Sequence, residues 1–171
     1  MKTVSSMIVI LGCIAVGSLD AQTRPPACTG VEHRQFDFWL GEWDVTLPNG
    51  RPAGTNHILS INGGCGLREE WKGAGGSTGT SLNAFDATSG RWHQTWIGSD
   101  GMLLRLEGGL RDGSMELSGT TTGADGVKTL HRIRWTPLGG TPAVVRQFWE
   151  ASTDGGKTWT VAFDGKYVRK N

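Results

Sequence analysis

The sequence predicts an all-β fold: an antiparallel meander of about ten strands closed as a barrel, with one short helix ahead of the first strand as a lid. Three observations predict it. The chain holds 27 glycines, most of them between short runs that alternate in polarity. The connectors PNGRPAG, NGG, AGGSTG, ATSG, SDG, RDG, GADG and TDGGK are turn sequences, in which Asn, Asp and Gly take positive φ at little cost. No long helical period separates the strands, so chain neighbours pair as hairpins. A meander of this length either closes on itself or splits into two packed sheets, and closure is favoured because it removes the exposed edges.

The chain begins MKTVSSMIVILGCIAVGSLDAQT. Lys2, the apolar run from Met7 to Val16 and the small residues up to Ala21 have the layout of a secretory signal peptide, so residues 1–21 are expected to be removed and 22–171 to form one barrel domain. The run falls short of the roughly 20 apolar residues a spanning helix needs. The expectation is a periplasmic or secreted protein without a transmembrane segment. Cys13 after ILG has a faint likeness to a lipoprotein cleavage site, but the apolar run continues past it as IAV, which argues against lipidation.

Next comes Val31–Leu40, the helical candidate, with Phe36, Trp39 and Leu40 at positions i, i+3 and i+4. The predicted strands follow as Glu42–Leu47, Thr55–Asn62, Gly66–Gly73, Thr80–Asp86, Arg91–Gly98, Met102–Gly108, Ser114–Thr121, Val127–Thr136, Ala143–Ser152 and Thr158–Arg169. Removal of the signal segment leaves two cysteines, Cys28 and Cys65, in a chain bound for an oxidising compartment. A disulfide between them is expected, tying the N-terminal arm to an early strand. A metal pair is the weaker reading, because no C-x-x-C and no histidine cluster accompany them. The formal net charge is +1, with both signs interspersed and no basic run, which sets aside nucleic acid and anionic membrane surfaces as partners. A monomer or weak homodimer is expected, and the residues leave any cofactor undefined.

STDGGKTW, Ser152 to Trp159, matches the Asp-box pattern S-x-D-x-G-x-x-W. Its structural reading has Ser152 and Asp154 accepting backbone N–H groups in a hairpin turn, with Trp159 packed beneath. One copy does not make a propeller, which needs periodic blades. A glycan-related role is the alternative.

Side chains alternate faces along a strand, and this parity sorts the candidates for a site. In RWHQTWIG, Trp92, Gln94 and Trp96 share a face. In VVRQFWEAS, Gln147 and Trp149 do, and in CGLREEWKG, Cys65, Leu67, Glu69 and Trp71 line up. In LHRIRWTP, His131, Ile133 and Trp135 oppose Arg132 and Arg134. The predicted inner face is thus aromatic with a few amides, one carboxylate and one imidazole. A small barrel filled purely as a core would carry Val, Ile and Leu there. Tryptophans interleaved with Gln94, Gln147 and Glu69 instead suit a cavity that stacks on a flat molecule and orients it through a few polar contacts. The competing reading is a filled core whose amides and carboxylate satisfy one another.

Standard catalytic patterns such as G-x-S-x-G, H-E-x-x-H and a phosphate-cradling glycine loop do not occur. Glu69 and Glu70 are adjacent in a strand, so they point to opposite faces and cannot share a proton. His33, His57, His93 and His131 show no ligand spacing, and the single tyrosine, Tyr167, has no evident partner. No metal site is expected. Glu69 or His131 as general base in a dry pocket is the remaining catalytic option.

The motifs FDFWLGEWDV, GCGLREEW, SLNAFDATSGRWHQTW and VRQFWEASTDGGKTWTVAFDGKYVR together resemble a family of exported bacterial proteins of uncharacterised function. The resemblance covers nearly the whole chain after the signal segment and implies a lipocalin-like or calycin-like barrel. Gly41-Glu42-Trp43 is similar to the G-x-W that opens the first lipocalin strand. The resemblance implies that Trp43 seals the closed end and that Arg169, in YVRK, covers it.

Three functions compete. The first is an exported binding barrel for a small apolar or aromatic ligand, lined by Glu69, Trp71, Gln94, Trp96, Gln147 and Trp149. The second is an isomerase, cyclase or hydrolase using the same lumen, which requires Glu69 to be buried with a raised pKa. The third is a glycan-binding β-sandwich, which requires a row of exposed tryptophans.

Overall fold

The computed structural model of the protein describes residues 27–141 and 143–170. The expected signal segment and Cys13 lie outside the described residues. Ten strands form the barrel: β1 (Gly41–Thr46), β2 (Pro52–Ile61), β3 (Gly66–Gly73), β4 (Thr78–Asp86), β5 (Arg91–Gly98), β6 (Leu103–Arg111), β7 (Ser114–Thr122), β8 (Lys128–Gly139), β9 (Val144–Ser152) and β10 (Thr160–Arg169). Each pairs antiparallel with its neighbour in sequence, and β1 pairs with β10 to close the barrel. This is the meander that the hairpin turns predict. The closed barrel rules out the β-sandwich of the third functional reading.

Alternation makes the wall two-sided. Along β5, Trp92 and Gln94 are buried while Arg91, Thr95 and Ile97 are exposed, and along β8, His131, Ile133 and Trp135 are buried between exposed Arg132 and Arg134. The outer face carries cross-strand ion pairs: Arg91 with Glu107 at 2.9 Å, Arg132 with Glu150 at 2.8 Å, and Arg146 with Asp164 at 2.8 Å. A membrane-spanning barrel would carry an apolar band on that face. Among the described residues no helix is long and apolar enough to cross a membrane.

The helix expected over Val31–Leu40 is instead two 3-10 turns, Val31–Arg34 and Asp37–Trp39. A ten-residue helix gains little from propagation once it has nucleated, so burial decides the local conformation. The tight turn brings positions three apart into register, and the rings of Phe36 and Trp39 stack with centroids 4.9 Å apart and planes 16° from parallel. Both rings are wholly buried, with Trp92 and Trp135 edge-on or tilted against them. The segment therefore still lids the barrel end where β1 starts.

Trp43 completes this plug. It is fully buried, and its indole N–H donates to the Trp39 carbonyl at 2.9 Å. Arg169, paired with Trp43 across β1 and β10, sets its guanidinium 4.9 Å from the Trp43 ring centre and donates to the Leu40 carbonyl at 2.6 Å. The Cys28–Cys65 disulfide forms as expected, with Cα atoms 5.0 Å apart, and pins the arm to the residue before β3. Closing a chain loop of 37 residues contributes about 4 kcal/mol by restricting the unfolded chain.

Candidate functional site

Beyond the plug, the lumen opens toward the other end of the barrel as a cavity of about 520 Å³. That lies within the range of small-molecule sites, roughly 300–1,000 Å³. All six residues selected by parity line it: Glu69, Trp71, Gln94, Trp96, Gln147 and Trp149. Phe163, Tyr167, Leu104 and Ile133 extend the lining inside, and Arg51, Ala74, Gly75 and Ser77, from the β1–β2 and β3–β4 connections, form the mouth with Pro52 at the start of β2.

At Trp96 and Trp71 the aromatic rings of the lumen lie close to glycines in the wall. A Cβ at Gly79 would stand 2.1 Å from Trp96 Cζ2, and one at Gly54 would stand 2.9 Å from Trp71 Cη2. The Trp96 indole thus occupies the space of the side chain absent at Gly79, whereas at Gly54 the Lys72 carbonyl oxygen, 2.3 Å from the same Cβ position, lies closer than the Trp71 ring. Trp71 is further braced edge-on by Phe163, with centroids 5.9 Å apart.

Midway down the barrel a polar belt crosses β2, β3, β4 and β5 and ends on Glu69, which is only 4 % exposed. Asn56 Nδ2 donates to Glu69 Oε1 and Ser81 Oγ donates to Glu69 Oε2, both at 2.7 Å. Behind Ser81, Asn83 Nδ2 donates to Ser81 Oγ at 2.9 Å, and Gln94 Nε2 donates to Asn83 Oδ1 at 2.9 Å. Every proton in this relay points toward the carboxylate, an arrangement in which successive bonds polarise one another. Burial nevertheless prevails: it pushes the Glu69 pKa from 4.5 up to about 7, against the opposing pull of the Ser81 and Asn56 hydrogen bonds.

Tyr167 does have a partner, contrary to the sequence reading: its hydroxyl donates to Gln147 Oε1. Burial, and then the negative charge of Glu69, raise the phenol well above its usual pKa, so it remains neutral. Asn56, Ser81, Asn83 and Tyr167 were not among the residues selected from sequence. Parity within Thr78–Asp86 would have placed Ser81 and Asn83 on one face.

His131, the other candidate base, does not line this cavity. Its Nδ1 accepts the Trp149 indole N–H at 3.2 Å and its Nε2 lies 2.8 Å from Thr121 Oγ1. An indole N–H only donates, so Nδ1 carries no proton and the imidazole is the neutral Nε2–H tautomer. Burial lowers its pKa in the same sense. His131 holds Trp149 in place and has no free lone pair to offer a substrate.

The Asp-box is structural. Asp154 Oδ1 accepts the backbone N–H groups of Lys157 and Thr158 and the Ser152 hydroxyl, and Oδ2 accepts the Thr158 hydroxyl at 2.6 Å. These bonds hold its carboxyl far below the usual range. Ser152 Oγ accepts the Gly156 N–H, and the Trp159 indole donates to the Gly156 carbonyl. Arg132 covers the Trp159 ring at 4.0 Å, and none of the described tryptophans is exposed, so the aromatic platform that glycan stacking requires does not form. Among the described residues no cluster of His, Cys, Asp or Glu is arranged to hold a metal ion. A scan against protein-family models finds no match, and a search of curated proteins finds no similar relative.

Proposed function

We propose that the protein is an exported lipocalin-like barrel that binds a small apolar or aromatic molecule in its lumen. The observation that carries this reading is the convergence of Glu69, Trp71, Gln94, Trp96, Gln147 and Trp149 on one cavity of about 520 Å³, open at the end opposite the plug. A filled core would place those rings in contact across the lumen, whereas here two of them rest over glycines. The wall supplies stacking area, and the polar belt supplies orientation. Trp43 with Arg169 at the closed end supports the lipocalin-like assignment, and the Cys28–Cys65 bond supports export, since disulfides persist in oxidising compartments. Titration of the protein with a panel of flat hydrophobic molecules, followed by tryptophan emission, tests the reading. Binding in the lumen shifts or quenches emission saturably at one equivalent, and a flat response across the panel contradicts it.

Catalysis in the same lumen is the second reading, and one observation favours it: Glu69 is a buried carboxylate with a pKa of about 7, suited to taking up a proton near neutral pH. His131 is removed from that scheme by its bonds to Trp149 and Thr121. An isomerase, cyclase or hydrolase here would rest on Glu69 alone as base, and its rate would rise with pH through the Glu69 titration.

A further inference from the structure

Glu69 is wired as an anion yet has no cation. Four neutral side chains direct their donors along a chain to its two oxygens, which is the arrangement that suits a carboxylate. Among the described residues it forms no ion pair, and burial dominates its energetics. The ionisable groups lining the cavity are Arg51, Glu69 and Tyr167. Arg51 is exposed at the mouth, and no cation enters the causes that set the Glu69 titration. Tyr167 is neutral. The strands flanking Glu69 face it with Asn56 from β2 and Ser81 from β4, while His57 and Glu70 lie on the outer face of the wall. Asn56 Oδ1, on a side chain that is 2 % exposed, has no partner among the described residues.

A buried carboxylate of this kind lacks only a counter-charge, and an arriving molecule can bring one. The surrounding wall suits the same charge, because the faces of Trp and Phe rings carry negative potential that attracts ammonium groups. An ammonium has only donors to offer, matching the acceptor oxygens of the Glu69 carboxylate. An anionic ligand would meet repulsion from Glu69 at the same depth.

We infer that the cavity takes an organic cation, a molecule with a flat apolar or aromatic body and a primary or secondary ammonium group, the ammonium seated on Glu69 and the body among Trp71, Trp96 and Trp149. The inference rests on the lumen being a small-molecule site and specifies what that site selects. Binding is then coupled to Glu69 ionisation: the amine binds the carboxylate form, so its affinity rises with pH from about 5.5 to 8, and at pH 6 its binding releases a proton to buffer.

Calorimetric titration with three probes that share a phenylethyl body tests this: 2-phenylethylamine, its isostere 2-phenylethanol, and 3-phenylpropanoate. At pH 8 the amine is expected to bind roughly tenfold or more tighter than the alcohol, with the carboxylate weakest. Glu69→Gln is expected to abolish the amine's advantage over the alcohol. The wild-type pH profile reads the same coupling without any variant, should Glu69→Gln fold poorly. Equal or tighter binding of the alcohol, an amine affinity flat between pH 5.5 and 8, or an amine preference that survives Glu69→Gln each overturns the inference while leaving the cavity reading intact. No binding by any of the three probes overturns both.

Discussion

The indole of Trp96 lies where a side chain at Gly79 would have to go: a Cβ at that glycine would stand 2.1 Å from Trp96 Cζ2 and 2.2 Å from Cη2. Gly79 pairs with Gly98 across β4 and β5, and Trp96 pairs with Ser81, so the ring runs diagonally over the bare part of the sheet. Cross-strand diagonals of this kind are within reach of aromatic side chains. An open lumen at this level depends on that absent side chain.

Gly79→Val therefore drives Trp96 off the wall and into the cavity. The expected outcome is a folded barrel, destabilised by about 1–3 kcal/mol from the forced repacking, whose affinity for lumen ligands falls on the order of tenfold or more. Far-ultraviolet circular dichroism checks the fold and ligand titration checks the loss. Unchanged affinity would mean that ligands bind elsewhere.

Glu69 makes stability depend on pH, with a definite sign. Its folded pKa, about 7, lies above its ordinary value of 4.5. The folded state therefore holds the proton more tightly than the unfolded chain between those values. Stability from this group is fully present below pH 4.5 and is lost as pH rises to about 7, by about 3 kcal/mol in total. Glu69→Gln, which cannot ionise, is expected to match the wild type near pH 4.5 and to be the more stable protein at pH 8. Urea denaturation at the two pH values checks this, and a wild type that is relatively more stable at pH 8 would reverse the assignment.

Arg169 secures the plug through two bonds of different kinds, a charged hydrogen bond to the Leu40 carbonyl and the contact with the Trp43 ring. Arg169→Ala is expected to destabilise the barrel by about 2–3 kcal/mol, measured by denaturant unfolding. Arg169→Lys is expected to recover only part of that, because an ammonium cannot reproduce the planar guanidinium over the ring while also reaching the carbonyl. Full recovery by Lys would reduce the interaction to simple charge.

Much of this molecule is legible from local pattern. The hairpin turns give the order of strands, and because an antiparallel neighbour preserves the alternation of faces, parity within single strands places Glu69, Trp71, Gln94, Trp96, Gln147 and Trp149 inside together. What parity does not give is who stands beside whom. Asn56 and Ser81 meet Glu69 because β2 and β4 flank β3 in a particular register, and the register also shifts at Val45/Thr46, Val161/Phe163 and Pro137/Gly139. Tyr167 looked isolated for the same reason, since Gln147 is its partner only across the β9–β10 pairing. The segment before β1 departs from the expected helix because its spacing, Phe36 to Trp39, fits both an α-helix and a 3-10 turn, and stacking inside the plug favours the tighter one. His131 shares a face with Ile133 and so qualified by parity, but its two ring nitrogens are engaged by groups on β7 and β9, which no reading of β8 alone reveals.

Binding in the lumen, and on no outer surface, is the outcome that the proposed function requires. A crystal structure of the protein soaked with an iodinated aromatic probe, 1-iodonaphthalene, tests it directly, because anomalous scattering locates the iodine without regard to interpretation of the surrounding density. The expected result is an anomalous peak inside the barrel, between Trp71, Trp96 and Trp149. A lumen filled by its own side chains, with iodine only on the outer wall, would contradict it.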